Sequence, residues 1–192
     1  MTTVEYRYVP AHLISVRRFN PARKSPGLIV IHDMEAPEKG NTAESCAAFF
    51  QRLNSSGSAH LCIDNDSIVQ CVPYENAAAG ARGCCYMGRT VNDYGIHIEH
   101  AGYANQTAAD WSDDYSQAML FWSSIAAAKI AKRYSIPAVA LDENAVRAGQ
   151  LGVVTHAVVS RAFNVHGGHT DPGPNFPLAT YVGAVAAWLP HV

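Results

Sequence analysis

Nine histidines stand in a chain of 192 residues, and several lie beside Asp, Glu or Gly rather than at periodic core positions. Imidazole in such company suits acid–base work or metal binding. His32 closes the apolar run Leu28-Ile29-Val30-Ile31, and His156 closes Val153-Val154-Thr155. Glu99 sits within Ile-His-Ile-Glu-His, where a carboxylate on a strand must be paired or must face a cleft. Asp171 stands in Thr-Asp-Pro-Gly-Pro, where it could equally start a turn. Singly, each has a plain structural explanation, a hydrogen-bonded core histidine or a turn residue. Together they fit one template. Two imidazoles and one carboxylate make a three-ligand zinc site with a fourth position open to water. A further carboxylate, off the metal, can take the proton from that water. A cationic or donor group beside it can hold the oxyanion formed on an attacked carbonyl. These residues run from position 32 to position 171, so spacing alone does not define the site. The sequence holds no Gly-x-Ser-x-Gly, so nothing marks a nucleophile elbow.

The elements that must position these groups follow from patterning. Residues 1–26, with Pro10, Pro21 and Pro26, read as an arm, followed by a domain over 27–190. Leu28–Ile31 reads as a buried central strand ending at His32. Asn41 and Glu44 form a capping-box pattern for a helix over about 42–54, with Ala47, Phe50 and Leu53 on one face. Two β-rich runs, 58–63 and 67–73, flank Asp64-Asn65-Asp66 and predict a hairpin. The Ala/Gly-rich stretch 76–93 reads as loop, and Tyr94–His100 as a strand. A long helix runs from Ser112 or Asp113 to Tyr134, with Met119, Trp122, Ile125, Ala126, Lys129, Ile130 and Arg133 along one stripe. Val153–His156 suggests a further strand, 157–163 a short helix, 164–177 a Gly/Pro-rich loop and 178–189 a last helix. Strands interleaved with helices, without repeats or linkers, predict a single α/β domain with a mixed central sheet flanked by helices.

Composition narrows the function. Hydrophobic residues make up 48% and charged residues 16%, enough for a buried core, and a net charge of −2 gives no electrostatic footprint for nucleic acid. The N-terminus lacks the apolar core of a signal peptide, and no run is long enough for membrane insertion, so the chain reads as made in a cytoplasm. Five cysteines without a CxxC pair read as reduced thiols; adjacent Cys84 and Cys85 could chelate or oxidise, but extended backbone points neighbouring side chains apart.

Four segments resemble the zinc amidase family of phage endolysins and bacterial N-acetylmuramoyl-L-alanine amidases, relatives of peptidoglycan recognition proteins. They are Leu28–His32; Ser58-Ala59-His60 with Ser67–Pro73; Asn92–Glu99; and Val154-Thr155-His156 with His169-Thr170-Asp171-Pro172-Gly173-Pro174. They run in family order over roughly 28–177, and the last is the most specific. HDMEAPEKGNTAES and DNDSIVQCV look closest to endolysins of phages infecting actinobacteria.

The resemblance implies one Zn2+ per chain on His32, His156 and Asp171, in a cleft at the sheet edge, with Glu99 as general base. It implies peptidoglycan as the partner, a monomer, and cleavage between N-acetylmuramic acid and L-alanine. A phage origin would keep the protein in the host cytoplasm until holin-type release. His169 stands where the family usually has Lys, and Ala78 where many members carry His. His169 would share catalysis as the oxyanion donor, but with a reference pKa of about 6.5 it is not cationic at every pH. His60, His97, Asn92 and Thr170 are candidates for substrate contact or for support behind the ligands. Two assignments stay open: His166 or His169 as ligand in place of Asp171, and His97 sharing the work of Glu99 from the same strand face. A non-catalytic peptidoglycan-binding module of the same fold is the alternative; its expected mark is a lost zinc ligand.

Overall fold

A computed structural model describes residues 3–14, 25–81, 84–165 and 167–192. In chain order the elements are β1 (Glu5–Tyr8), β2 (Leu28–Asp33), α1 (Thr42–Phe50), β3 (Leu61–Ile63), β4 (Ser67–Gln70), β5 (Cys84–Tyr86), β6 (Arg89–Thr90), β7 (Gly95–His100), α2 (Asp114–Tyr134), α3 (Glu143–Arg147), β8 (Gly152–Thr155), α4 (His156–Ala162) and α5 (Leu178–Trp188). Six strands form one sheet in the order β1-β4-β3-β7-β2-β8, while β5 and β6 pair separately. Only the β3/β4 hairpin is antiparallel within the large sheet, so the sheet is mixed, as the interleaved pattern predicts.

Side chains alternate across the sheet, and the two faces divide the labour. Ile29, Ile31, Leu61, Ile63, Ile96, Ile98 and Val153 pack on one face beneath α2 and α5. On the other face, Leu28, Val30 and Val154 meet Tyr86, Val146 and Val159. Further along that face, Cys62 and Val69 meet Ala43, Ala47 and Phe50 of α1. Between these two smaller clusters the second face carries His32 and Glu99, which are register partners on β2 and β7.

Several local expectations are corrected. The helix after Asn41 stops at Phe50, and Leu53 beyond it is 85% exposed rather than on the buried face. Asn41 makes no side-chain cap; instead Asp64 accepts from the Ala43 backbone N–H at 2.9 Å, and Glu44 accepts from Ser67 Oγ. A residue distant in sequence does the capping. The buried face of α2 is Ser116, Met119, Leu120, Ser123, Ser124, Ala127, Ala128, Ile130 and Ala131, not the stripe through Trp122, Ile125 and Lys129. Small residues on this face let α2 and α5 approach closely, a preference that ranking by hydrophobicity cannot see. The 76–93 stretch contains the β5/β6 hairpin and a 3-10 turn over Val91–Asp93. Within the segment read as an arm, β1 adds a parallel edge strand beside β4.

Candidate metal centre

β2 delivers His32 at its C-terminal end. β8 stops at Thr155, whose hydroxyl accepts from the Val158 N–H and caps α4. His156 is therefore the first residue of that helix and not the last of a strand. The loop after α4 returns Asp171 to the same place, held by a hydrogen bond from the Ala157 N–H to the Asp171 carbonyl at 2.9 Å.

These three side chains converge. Asp171 Oδ2 lies 3.0 Å from His32 Nδ1 and 3.1 Å from His156 Nδ1. One potential ligand atom from each lies within 4.8 Å of the others, and all three residues are buried. Burial alone would raise the Asp171 pKa, but hydrogen bonds from His156 and His32 outweigh it and hold the carboxyl far below its usual range. Burial pushes His156 down, aided by His32. An ionised carboxylate and a neutral imidazole are the forms that bind a metal ion. His32, His156 and Asp171 are thus positioned to hold one, and two imidazole nitrogens with one carboxylate oxygen suit zinc. His166 lies outside the described residues. Among the described residues the converging group contains Asp171 and not His169.

Beside the ligands opens a cleft of about 410 Å³, lined by Phe50, Ser58, Gly80, Glu99, Gly167 and His169 among others. Glu99 Oε2 is buried with no hydrogen-bond partner among the described residues. Desolvation, then the surrounding Cys46, Asp171 and Asp33, pushes its pKa well above the usual carboxylate value. Cys62, its register partner on β3, is a free thiol, as are Cys46 and Cys71. His169 stacks on His156 with ring centroids 4.0 Å apart, and its Nδ1 lies 3.4 Å from Asp171 Oδ1. Thr170 is exposed, and its carbonyl accepts from Gly173 in the turn beyond. Asn92 Oδ1 accepts from the Ala81 N–H at 2.8 Å, next to Ala79 and Gly80 on the cleft lining. His60 and His97 are fully buried behind the ligands rather than on the rim.

One supporting residue escaped the sequence reading. His100 lies on the opposite face from Glu99, and its Nδ1 is 3.0 Å from the His32 carbonyl oxygen. A carbonyl only accepts, so His100 Nδ1 carries the proton, and Nε2 takes the Ser123 hydroxyl at 2.7 Å. Tyr181 Oη reaches Ser123 Oγ in turn at 2.8 Å. A chain of hydrogen bonds from α5 through α2 therefore pins the backbone of His32, one of the three converging residues. Nothing periodic in the sequence marks it.

Burial pushes His100 down to about 4, against its hydrogen bond to His32. The unfolded value is about 6.5, so between the two the unfolded chain binds the extra proton. The stability His100 contributes is complete above the unfolded value and lost as pH falls towards the folded one. Urea unfolding of metal-free wild type and His100→Asn should show their stability difference shrinking by about 3 kcal/mol between about pH 7 and pH 4. A difference independent of pH would contradict a buried neutral imidazole.

A mixed sheet with a buried His-His-Asp group beside a cleft defines an α/β protein with three residues positioned to bind a metal. The sequence profile of the N-acetylmuramoyl-L-alanine amidase family matches residues 22–174, and the chain belongs to that family. No curated protein matches it by sequence. Among solved structures it is similar to the hydrolase AmiA of Staphylococcus aureus, with a TM-score of 0.69 at 16% identity over 98% of this chain and 86% of that one. AmpD gives 0.62 at 25% identity over 94% of each chain. The N-acetylmuramoyl-L-alanine amidase LysC of Clostridium intestinale gives 0.56 at 17% identity, covering 96% of this chain and 99% of that one. The fold and family together make the chain an amidase acting on peptidoglycan.

Proposed function

We propose that the chain hydrolyses the amide between N-acetylmuramic acid and L-alanine with zinc on His32, His156 and Asp171 and Glu99 as general base. The observation that carries this reading is the register of β2 and β7. It sets the half-buried Glu99, whose Oε2 is buried without a hydrogen-bond partner among the described residues, directly beside His32, at the cleft wall. Zinc bound there supplies a Lewis acid that acidifies water and polarises the attacked carbonyl. Glu99, kept basic by its desolvated surroundings, takes the proton from the attacking water. His169, on the cleft lining, donates to the oxyanion that forms on the lactyl carbonyl. Glu99 then returns its proton to the departing alanine amine. No side chain is acylated. Digests of purified peptidoglycan should yield glycan with free lactyl carboxyls and peptides beginning at L-alanine. New reducing sugar ends, or cuts inside the peptide, would contradict the assignment.

Position 169 gives a sharper prediction. His169→Ala should cost roughly 10²–10³-fold in turnover while leaving zinc in place, the usual loss of one oxyanion donor. Its Nδ1 lies 3.4 Å from Asp171 Oδ1, so a charged imidazole at this position would face a carboxylate. His169→Lys should then extend activity to higher pH, since ammonium keeps its charge there. An unmoved alkaline limb in His169→Lys would mean that a neutral N–H does the work.

The wording of residues 32–45 and 64–72 supports an origin in a phage of actinobacteria. On this reading the monomeric enzyme waits in the host cytoplasm until holin-type release. Among the described residues no helix is long and apolar enough to cross a membrane.

A further inference from the structure

His97 lies one strand over from the ligands, fully buried, with its Nδ1 2.9 Å from His32 Nε2. The ring has a built place. A Cβ on Gly80 would lie 2.6 Å from both Cγ and Nδ1 of His97, and one on Gly95 would lie 2.9 Å from its Nε2. Neither glycine has a left-handed φ, so space for the ring, rather than backbone conformation, accounts for Gly80. Behind it, His60 is fixed in orientation and tautomer. His60 Nδ1 accepts the His97 backbone N–H at 2.9 Å, and Nε2 faces the Asn76 carbonyl at 3.1 Å and so must donate. The His60 and His97 rings lie nearly parallel, 10° apart with centroids 5.8 Å apart.

We infer that His97 is a positioning residue: when a metal ion takes the place of the proton that His32 Nδ1 gives to Asp171, His97 Nδ1 accepts the Nε2–H of His32 and so holds the His32 Nδ1 lone pair on the ion. The inference rests on the metal reading above. A neutral imidazole carries one ring proton, and a ligand nitrogen cannot keep it. With Nδ1 of His32 committed to the ion, the proton sits on Nε2, and His97 Nδ1 is the acceptor within reach. Groups that take the second N–H of a ligand histidine fix its ring and raise its basicity, and their loss typically costs 10–100-fold in metal affinity. This use differs from proton transfer at the cleft. His97 faces His32 and the glycine pocket, while Glu99 lines the cleft.

The test compares zinc affinity by chelator competition, with metal-free melting temperature as a separate readout of folding. His97→Phe fills the pocket without an acceptor and should weaken zinc binding about 10–100-fold. His97→Asn places an amide oxygen close to the position of Nδ1 and should restore most of that loss. Gly80→Ala keeps the imidazole but crowds it, and should also weaken zinc. If His97→Phe does not fold, His97→Asn and Gly80→Ala still decide. Wild-type affinity in folded His97→Phe or in Gly80→Ala would overturn the proposal, as would an Asn variant as weak as the Phe one. Wild-type protein that binds one zinc and cuts peptidoglycan while those variants bind equally well would sink the positioning role alone. Wild-type protein that binds no zinc would sink both this role and the metal reading.

Discussion

His32→Ala and His156→Ala are expected to lose stoichiometric zinc and hydrolysis together. Each removes one of three converging ligand atoms, and two protein ligands seldom hold zinc at a site built for three. The two variants should still fold, because His32 stands near the end of β2 and His156 just past β8, and the apolar face beneath α2 and α5 is untouched. Asp171→Ala is the more discriminating change. Its carboxylate faces both imidazoles, so its loss removes a ligand and also releases the two rings. Metal analysis and activity on the same preparations check this. Full zinc in Asp171→Ala would move the third ligand to His169 or His166, and full zinc with normal turnover in His32→Ala or His156→Ala would end the assignment.

Glu99→Gln should keep zinc and lose activity by about 10²–10⁴-fold. The amide preserves shape and volume in a site where Oε2 is buried, but it cannot accept a proton from water. The loss should fall on kcat more than on KM, since the carboxylate acts on the proton and not on the glycan or the peptide. A near-normal rate with zinc bound would hand proton transfer to another group. His97 is poorly placed to take it, being buried against His32.

Much of this architecture was legible because its cause is local. Leu28–Ile31 has no polar side chain, so it could only be an interior strand, and it is buried along its whole length. The hairpin around Asp64-Asn65-Asp66 and the long helix ending at Tyr134 follow from turn chemistry and from length. What stayed hidden depends on partners distant in sequence. Asp64, not Asn41, caps α1, and that choice is made only when the β3/β4 turn docks. β1 exposes every side chain and carries no alternation, so only its backbone pairing with β4 makes it a strand. The buried face of α2 is set by its close approach to α5, which favours Ser and Ala over Trp.

The site divides in the same way. Glu99 stood out because a carboxylate on an interior strand is awkward, whereas His32, His156 and Asp171, each with a plain structural explanation, were brought together by the resemblance to the amidase family. Their convergence depends on the parallel pairing of β2 with both β7 and β8, which no local pattern states. His100 was missed because a histidine hydrogen-bonded to a carbonyl and a serine looks, in sequence, like any core residue.

On the proposed reading, a zinc ion held by His32, His156 and Asp171 is what lets the chain cut the wall polymer. The direct measurement is release of free L-alanine amino termini from purified cell walls by chelator-stripped protein, titrated with zinc. Activity should be absent at zero metal, rise linearly and level off at one equivalent per chain, with Asp171→Ala flat throughout. Full release by stripped protein, or a plateau unrelated to one equivalent, would contradict it.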